Sequence, residues 1–198
     1  MSHYYKYDPT LNDDIHTFNY TFMGSTLKFE TNSGVFSKER VDFGTNVLLN
    51  SLPSLKGVSC VLDVGCGVGI IGICIKKAYP NIDLTMVDIN ERCIELTNKN
   101  LKENNIEANV CLSDMYEKVE GMFDLIVSNP PIRAGKAKVF EVVDGAYKHL
   151  NDKGSLICVI QKKQGAESLK KHMEEVFGNC EILNKEKGYY IIKSTYNK

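Results

Sequence analysis

Val61-Leu62-Asp63-Val64-Gly65-Cys66-Gly67-Val68-Gly69 reads as a buried strand that ends on a carboxylate and breaks into a glycine-rich turn. The run over 58–63 is almost continuously apolar, the mark of a strand covered on both faces. Gly65 and Gly67 permit backbone conformations closed to other residues and let a ligand approach the chain closely. A nicotinamide-type fingerprint requires glycine or alanine three positions beyond its second glycine. Here that position is Ile70, which argues against a dinucleotide. Asp63 at the strand end suits instead a cationic ligand, or one rich in hydroxyl and amino donors. Taken alone, the same residues also describe an ordinary tight strand-to-helix turn.

Working outward, the pattern alternates. A helix over about 70–79 precedes Pro80-Asn81, and a strand over 84–88 follows. Asn90 is placed to cap a helix over 91–104. Strands Asn109–Leu112 and Phe123–Ser128 come next, then a helix over about 136–150. Asn151-Asp152-Lys153-Gly154 reads as a turn into a strand over 155–160, and Ala166–Phe177 as a helix. Segments 180–184 and 189–194 flank Lys187-Gly188 as a terminal hairpin. Upstream, 1–16 is a loose arm. Phe18, Tyr20 and Phe22 alternate with polar residues, as do Leu27 and Phe29, and Gly24-Ser25 between them signals a two-residue hairpin turn. Residues 34–44 read as a loop and 45–52 as a short helix. Strands alternating with helices mean an α/β fold, a mostly parallel sheet with helices on both faces.

Composition sets limits. The 198 residues suffice for one domain with a substantial core. With 43% hydrophobic and 25% charged residues the chain is an ordinary globular one. No apolar run approaches the ~18 residues of a membrane helix, and the polar, aromatic start offers no signal-peptide core, so a cytoplasmic location is expected. Seven cysteines (Cys60, Cys66, Cys74, Cys93, Cys111, Cys158, Cys180) never occur two residues apart, against a zinc knuckle or a dithiol motif. They read as reduced, buried thiols. His3, His16, His149 and His172 are scattered, and no metal is expected. The net charge of −1 argues against a simple RNA-coating protein. It leaves room for local basic rims at Arg133, Lys136 and Lys138, at Lys162 and Lys163, or at Lys170 and Lys171. Each alone reads as a solvated face.

Ligands of such sheets bind at the carboxyl ends of the strands, near the topological switch point. The residues there are chemically pointed. Asp88 can accept both hydroxyls of a ribose. Asp114 is placed to accept from an adenine amino group, with Ile89 and Met115 as apolar walls. Either aspartate alone would be a helix cap or turn residue; three acidic strand tips after a glycine-rich turn form a pattern. At Asn129-Pro130-Pro131 the prolines stop the strand and lack amide hydrogens, so the Pro130 carbonyl is expected to be free. The Asn129 side chain adds a second acceptor. Two fixed acceptors would hold both hydrogens of an amino group.

With these residues in hand, the chain resembles the class I S-adenosylmethionine-dependent methyltransferases over roughly 58–194. Among them it is similar to the small-subunit ribosomal RNA guanine-N2 methyltransferases in a short, single-domain form. The residues that carry the resemblance are Gly34-Val35-Phe36-Ser37, Val41-Asp42-Phe43-Gly44-Thr45, Asp63-Val64-Gly65-Cys66-Gly67-Val68-Gly69, Asp88, Asp114 and Asn129-Pro130-Pro131-Ile132. It implies a Rossmann-like seven-stranded sheet with an antiparallel last strand. It also implies a division into 1–57 (arm, hairpin and substrate-side loop) and 58–198 (cofactor-binding catalytic domain).

The resemblance further implies that Asp63, Gly65, Cys66 and Gly67 hold the methionine part of S-adenosylmethionine. Asp88 would take the ribose and Asp114 the adenine, whose ring would lie against Ile89 and Met115. Asn129 and Pro130 would hold the target amine, with Pro131, Ile132, Arg133, Phe36 and Phe43 against the substrate. The partner implied is ribosomal RNA or the small ribosomal subunit. Two departures stand out. Ile132 occupies the place where many amino-nitrogen methyltransferases carry a stacking aromatic, which points to Phe36 or Phe43 for stacking. The second, degenerate domain of longer family members is not present in this sequence. A protein glutamine amide of the release-factor type, a small-molecule amine, or an inactive cofactor- or RNA-binding module remain the alternatives.

Overall fold

The structure, a computed structural model, describes residues 15–32 and 41–198. Expectations for 1–14 and 33–40, including the stacking role of Phe36, lie outside the described residues. The elements are β1 (Ile15–Phe22), β2 (Ser25–Asn32), α1 (Phe43–Ser51), β3 (Cys60–Val64), α2 (Ile70–Ala78), β4 (Asp83–Asp88), α3 (Glu91–Glu103), β5 (Asn109–Leu112), β6 (Phe123–Ser128), α4 (Lys136–His149), β7 (Leu150–Gln161), α5 (Ala166–Phe177), β8 (Glu181–Glu186) and β9 (Tyr189–Thr195). Seven strands form one sheet in the order β5-β4-β3-β6-β7-β9-β8, and β1 pairs with β2 alone. Strands β3 to β7 are parallel, and β9 is antiparallel to both neighbours. This is the seven-stranded sheet with an antiparallel last strand that the resemblance implies, with the N-terminal hairpin that the alternating residues predict. The strand order reverses between β3 and β6, which puts the switch-point crevice at their carboxyl ends.

Alternating side chains divide the interior. Val61, Leu125, Val127, Ile157 and Val159 face a core built with α1, α2, α3 and the hairpin. Their neighbours Leu62, Ile126, Leu156 and Cys158 face a second core built with α4 and α5. Both faces of each central strand are therefore covered, as the continuous apolar runs require. Close approach on the first face depends on Gly72, where a Cβ would stand 2.6 Å from the Met86 sulfur.

Three local expectations need correction. The hairpin turn is Met23-Gly24, with φ of 46° and 81°, and Ser25 already pairs with Phe22. Two successive positive φ values define the type I′ turn that matches strand twist, so the glycine takes the second place of the loop. Helix α1 begins at Phe43 because Asp42, outside it, accepts from the amides of Gly44 and Thr45. Residues 151–154 do not separate α4 from a later strand. β7 starts at Leu150, pairs there with Phe123, bulges, and resumes at Ser155 opposite Leu125. Cys66, Cys74, Cys93 and Cys158 are buried as expected, whereas Cys60, Cys111 and Cys180 are only half-buried. Among the described residues no helix is long and apolar enough to cross a membrane.

Candidate functional site

The glycine turn is fastened to the tip of β4. The Gly65 and Cys66 amides donate to the Val87 carbonyl at 2.9 and 3.0 Å, and the Gly67 amide donates to Asp88 Oδ2 at 2.9 Å. Gly65, Gly67 and Gly69 have φ of 69°, 57° and 85°, left-handed values that side-chain-bearing residues avoid. Their surroundings differ. A Cβ on Gly65 or Gly67 would meet open space, whereas one on Gly69 would stand 2.9 Å from Ile73 and 3.0 Å from Thr97. The first two glycines therefore present bare backbone outward, and the third packs inward. Cys66 also points inward: it is buried, its sulfur 3.9 Å from Thr97 Oγ1. Burial pushes its thiol well up. Only its backbone can face a ligand.

The two central carboxylates lie deeper than the sequence suggested. Asp63 is fully buried; Oδ2 accepts from the Gly72 amide at 2.9 Å, and Oδ1 has no hydrogen-bond partner. Its carboxyl is pushed up to about 7 by burial, against the pull of the Gly72 amide and with the Asp88 charge adding to the rise. Asp63 thus acts from behind the turn and not by lining its surface. Asp88 is 4% exposed. It accepts from Gly67 N and, through Oδ1, from Asn90 N at 2.8 Å, and burial raises its pKa despite these donors. Its first task is to clasp the turn, with the Ile89 amide a third backbone donor to the carboxylate, and acceptor capacity remains for a ligand hydroxyl.

Ile89 is half-buried just beyond it, and Met115 is buried with a φ of 48° after β5. Asp114 is already engaged. Both its oxygens accept from Lys138 Nζ, at 2.8 and 2.9 Å, and Lys138 also reaches Glu141 at 2.9 Å. Partial burial would lower the Lys138 pKa, but these two carboxylates hold it above its ordinary value.

Ser128 fixes the start of the proline segment by donating to the Val64 carbonyl at 2.8 Å, which sets Asn129 beside the glycine turn. The Asn129 amide nitrogen donates to Asp42 Oδ2 at 3.3 Å and to Thr45 Oγ1 at 3.1 Å. With both hydrogens committed, the side chain is oriented and its Oδ1 is an acceptor of fixed direction. Asp42 serves two ends at once, since its Oδ1 caps α1. The Pro130 carbonyl is not free as expected. It accepts from the Ile132 amide at 2.8 Å, because Pro131 at φ −76°, ψ 77° closes an inverse γ-turn. One lone pair remains. A 3₁₀ turn over Ile132–Ala134 leads to α4, with Ile132 half-buried and Arg133 exposed. Phe43 is already packed: its ring centroid lies 5.5 Å from that of Tyr189, and Lys187 Nζ is 5.0 Å from it.

The structure therefore brings Asp63, Gly65, Gly67, Asp88 and Asn129 together at the switch point, with Asp114 across from α4. Asp42 and Thr45 carry the resemblance without an assigned role, and Lys138, expected in a basic rim, is instead committed to Asp114 and Glu141. An aspartate two residues ahead of a glycine, at a helix start, was the available signal for the first. The arrangement can seat a cationic ligand, because the buried Asp63 Oδ1 lacks a partner under bare glycine backbone. Beside it, Asn129 can accept a hydrogen bond from an N–H group.

The family model described as the methyltransferase small domain matches residues 26–193. The chain is 39% identical to the uncharacterized protein YbxB of Bacillus subtilis (strain 168), over 97% of each. It is 36% identical to the ribosomal RNA small subunit methyltransferase C of Aliivibrio fischeri, covering 92% of this chain and 54% of that protein. A solved structure of the Thermus thermophilus 16S rRNA N2 G1207 methyltransferase, in complex with AdoMet and guanosine, superposes with a TM-score of 0.84. It shares 25% identity and covers 97% of this chain and 53% of its own. The chain thus spans about half the length of the methyltransferase C relatives it matches.

Proposed function

The chain belongs to the methyltransferase small domain family, and from that premise we propose that it methylates the exocyclic N2 amine of a guanosine in small-subunit ribosomal RNA. It is a methyltransferase whose cofactor is S-adenosylmethionine, which supplies an electrophilic methyl group on a sulfonium. The open Gly65–Gly67 backbone and the Asp88 carboxylate are the groups that would hold it, with the buried Asp63 carboxylate placing negative charge behind the turn. The assignment of RNA and of guanine is supported by the named activity of the methyltransferase C relatives and by the guanosine bound in the Thermus protein.

The observation that carries the amine assignment is the fixed direction of Asn129. An exocyclic base nitrogen is a weak nucleophile because its lone pair is shared with the ring. Its N–H groups become stronger donors as positive charge grows on nitrogen. An acceptor held in place by Asp42 and Thr45 therefore binds the transition state better than the ground state, without reorganising as it does so. The Pro130 carbonyl, with one lone pair remaining, is the second acceptor. Alignment accounts for the rest of the rate, since a held amine meets the donor at a high effective concentration. As the N–C bond forms and the S–C bond breaks, the nitrogen becomes cationic and acidic and would give its proton to water, so no side chain is needed as a strong base.

The test is to delete the gene and digest the small-subunit RNA to nucleosides. Mass spectrometry should show the N2-methylguanosine content fall by one residue per small-subunit RNA, restored by the wild-type gene and not by Asn129→Ala. An unchanged nucleoside profile would transfer the reading to a protein amide or a small-molecule amine.

A further inference from the structure

Beyond the amine-holding residues, the chain folds its separate basic segments around a single cleft. The cleft has a volume of about 140 Å³ and is lined by Ile132, Val139, Phe140, Ile160, Ser168 and Leu169. Ile132 is the residue that follows the proline pair, so the cleft begins one residue beyond the segment proposed to hold the target amine. Drug-sized sites occupy about 300 Å³ or more; this one suits a single planar group. Its mouth is flanked by Lys136 at the start of α4 and Gln164-Gly165 at the start of α5.

Charge gathers there. The 3₁₀ turn over Ile132–Ala134 contributes exposed Arg133, and the one over Lys162–Gln164 contributes exposed Lys162 and Lys163. Among the described residues none of Arg133, Lys136, Lys162 and Lys163 is in an ion pair, whereas Lys138, two residues further along α4, is held by Asp114 and Glu141. Segments 132–138 and 161–168 contain one carboxylate, Glu167. In a chain of net charge −1, four cations outside any described ion pair around one apolar slot are a local departure that favours a polyanion. Lys136 now lies 4.9 Å from the centroid of the Phe140 ring, whose ring stacks on His172 at 3.9 Å. A planar group entering the slot would meet the Phe140 edge and release the Lys136 ammonium toward the mouth.

The geometry points to a second nucleotide subsite: the slot takes the base of a nucleotide adjoining the methylated guanosine in single-stranded RNA, and the four cations hold its phosphodiesters. Apolar rings for a base beside cations for the backbone are the combination single strands require. This subsite rests on the RNA reading above. It also gives Ile132 a role: in place of stacking on the target base, it forms the wall between target and neighbour.

The full-length protein and a short single-stranded RNA centred on the methylated guanosine provide the test. Lys162→Gln/Lys163→Gln should raise KM for this RNA roughly tenfold, leave kcat and cofactor affinity unchanged, and flatten the salt dependence of binding by about 0.7 per lost phosphate contact. Ser168→Phe, which fills the slot without changing charge, should raise KM and keep the salt slope. Lys56→Gln/Lys102→Gln, an equal charge change elsewhere on the surface, should do neither. If the wild-type protein methylates this RNA and the lysine pair at 162–163 behaves like the control pair, the subsite is wrong and the RNA reading stands. If the wild-type protein transfers no methyl group to small-subunit RNA, that reading falls and the subsite falls with it.

Discussion

At the scale of single residues, the site is governed by how lone pairs and protons are committed before any ligand arrives. Asn129 illustrates it: its acceptor has one direction because Asp42 and Thr45 hold the other end of the amide. Asp42→Ala should let that amide rotate, lowering kcat by about tenfold, whereas Asn129→Ala removes the acceptor and should cost nearer the ~10²–10³ of a lost transition-state hydrogen bond. Cofactor affinity measured by calorimetry should move by less than twofold in Asn129→Ala; an equal loss in affinity and turnover would dismiss this division of labour.

Asp63 gives a pH dependence. Burial first, then the Asp88 charge, raises its carboxyl to about 7, so it is protonated in the folded protein where the unfolded chain would ionise it. Its stabilising contribution is complete below the unfolded value of 3.8 and is lost as pH rises through about 7. Cofactor cations favour the ionised form. Affinity should therefore climb with pH up to about 7, close to tenfold per unit at the acid end, and titrations should release a proton. Asp63→Asn keeps an acceptor for Gly72 and should show neither effect. A wild-type affinity flat between pH 5 and 8 would remove Asp63 from the account.

At the scale of elements, the hairpin shows what the sequence conceals. Its inner face was legible, because Leu27 and Phe29 alternate with polar residues and both prove buried. Its docking was not. The outer edge of β2 is closed by two asparagine side chains, one in α3 and one capping its end: Asn100 exchanges hydrogen bonds with Glu30 N and O at 2.7 and 3.0 Å, and Asn104 does so with Lys28 at 3.0 and 2.7 Å. A side-chain amide imitates a neighbouring strand and blunts an edge that would otherwise stay unpaired. Asparagines at i and i+4 of a helix read as surface residues in the sequence, since their partners lie about 70 positions away and leave no periodic trace. The glycine turn and the acidic strand tips were legible because they are local. The Pro130 turn was not, because ψ of Pro131 sets it and the residue type does not. Asn100 also donates to the Val68 carbonyl at 2.9 Å, so it ties the hairpin to the cofactor turn. Asn100→Ala should destabilise the protein by about 2–4 kcal/mol, as several buried backbone groups lose partners together. Asn98→Ala, exposed on the same helix, should stay within about 0.5 kcal/mol. Equal effects in chemical denaturation would show that the edge is not held this way.

At the scale of the whole molecule, the site is where the two cores meet. Asp42 and Thr45 of the α1 segment belong to the face that carries the hairpin, and Lys138 and Met115 to the face that carries α4 and α5. Only at the strand tips do groups from both layers come within reach of one ligand. A molecule bound there should behave as a rivet between layers, raising the stability of the whole fold and not of one half. Saturation at a hundredfold excess over Kd adds about 2.7 kcal/mol. For a chain of this length each kcal/mol is roughly 2–4 °C in Tm, so S-adenosylmethionine should raise a single melting transition by about 5–10 °C. Asp88→Asn exchanges an acceptor for a donor against Gly67 or Asn90 and should abolish most of that shift at the same ligand concentration. A melt that splits on ligand addition, with one phase unmoved, would mean that the two layers unfold independently and that the cleft belongs to only one of them.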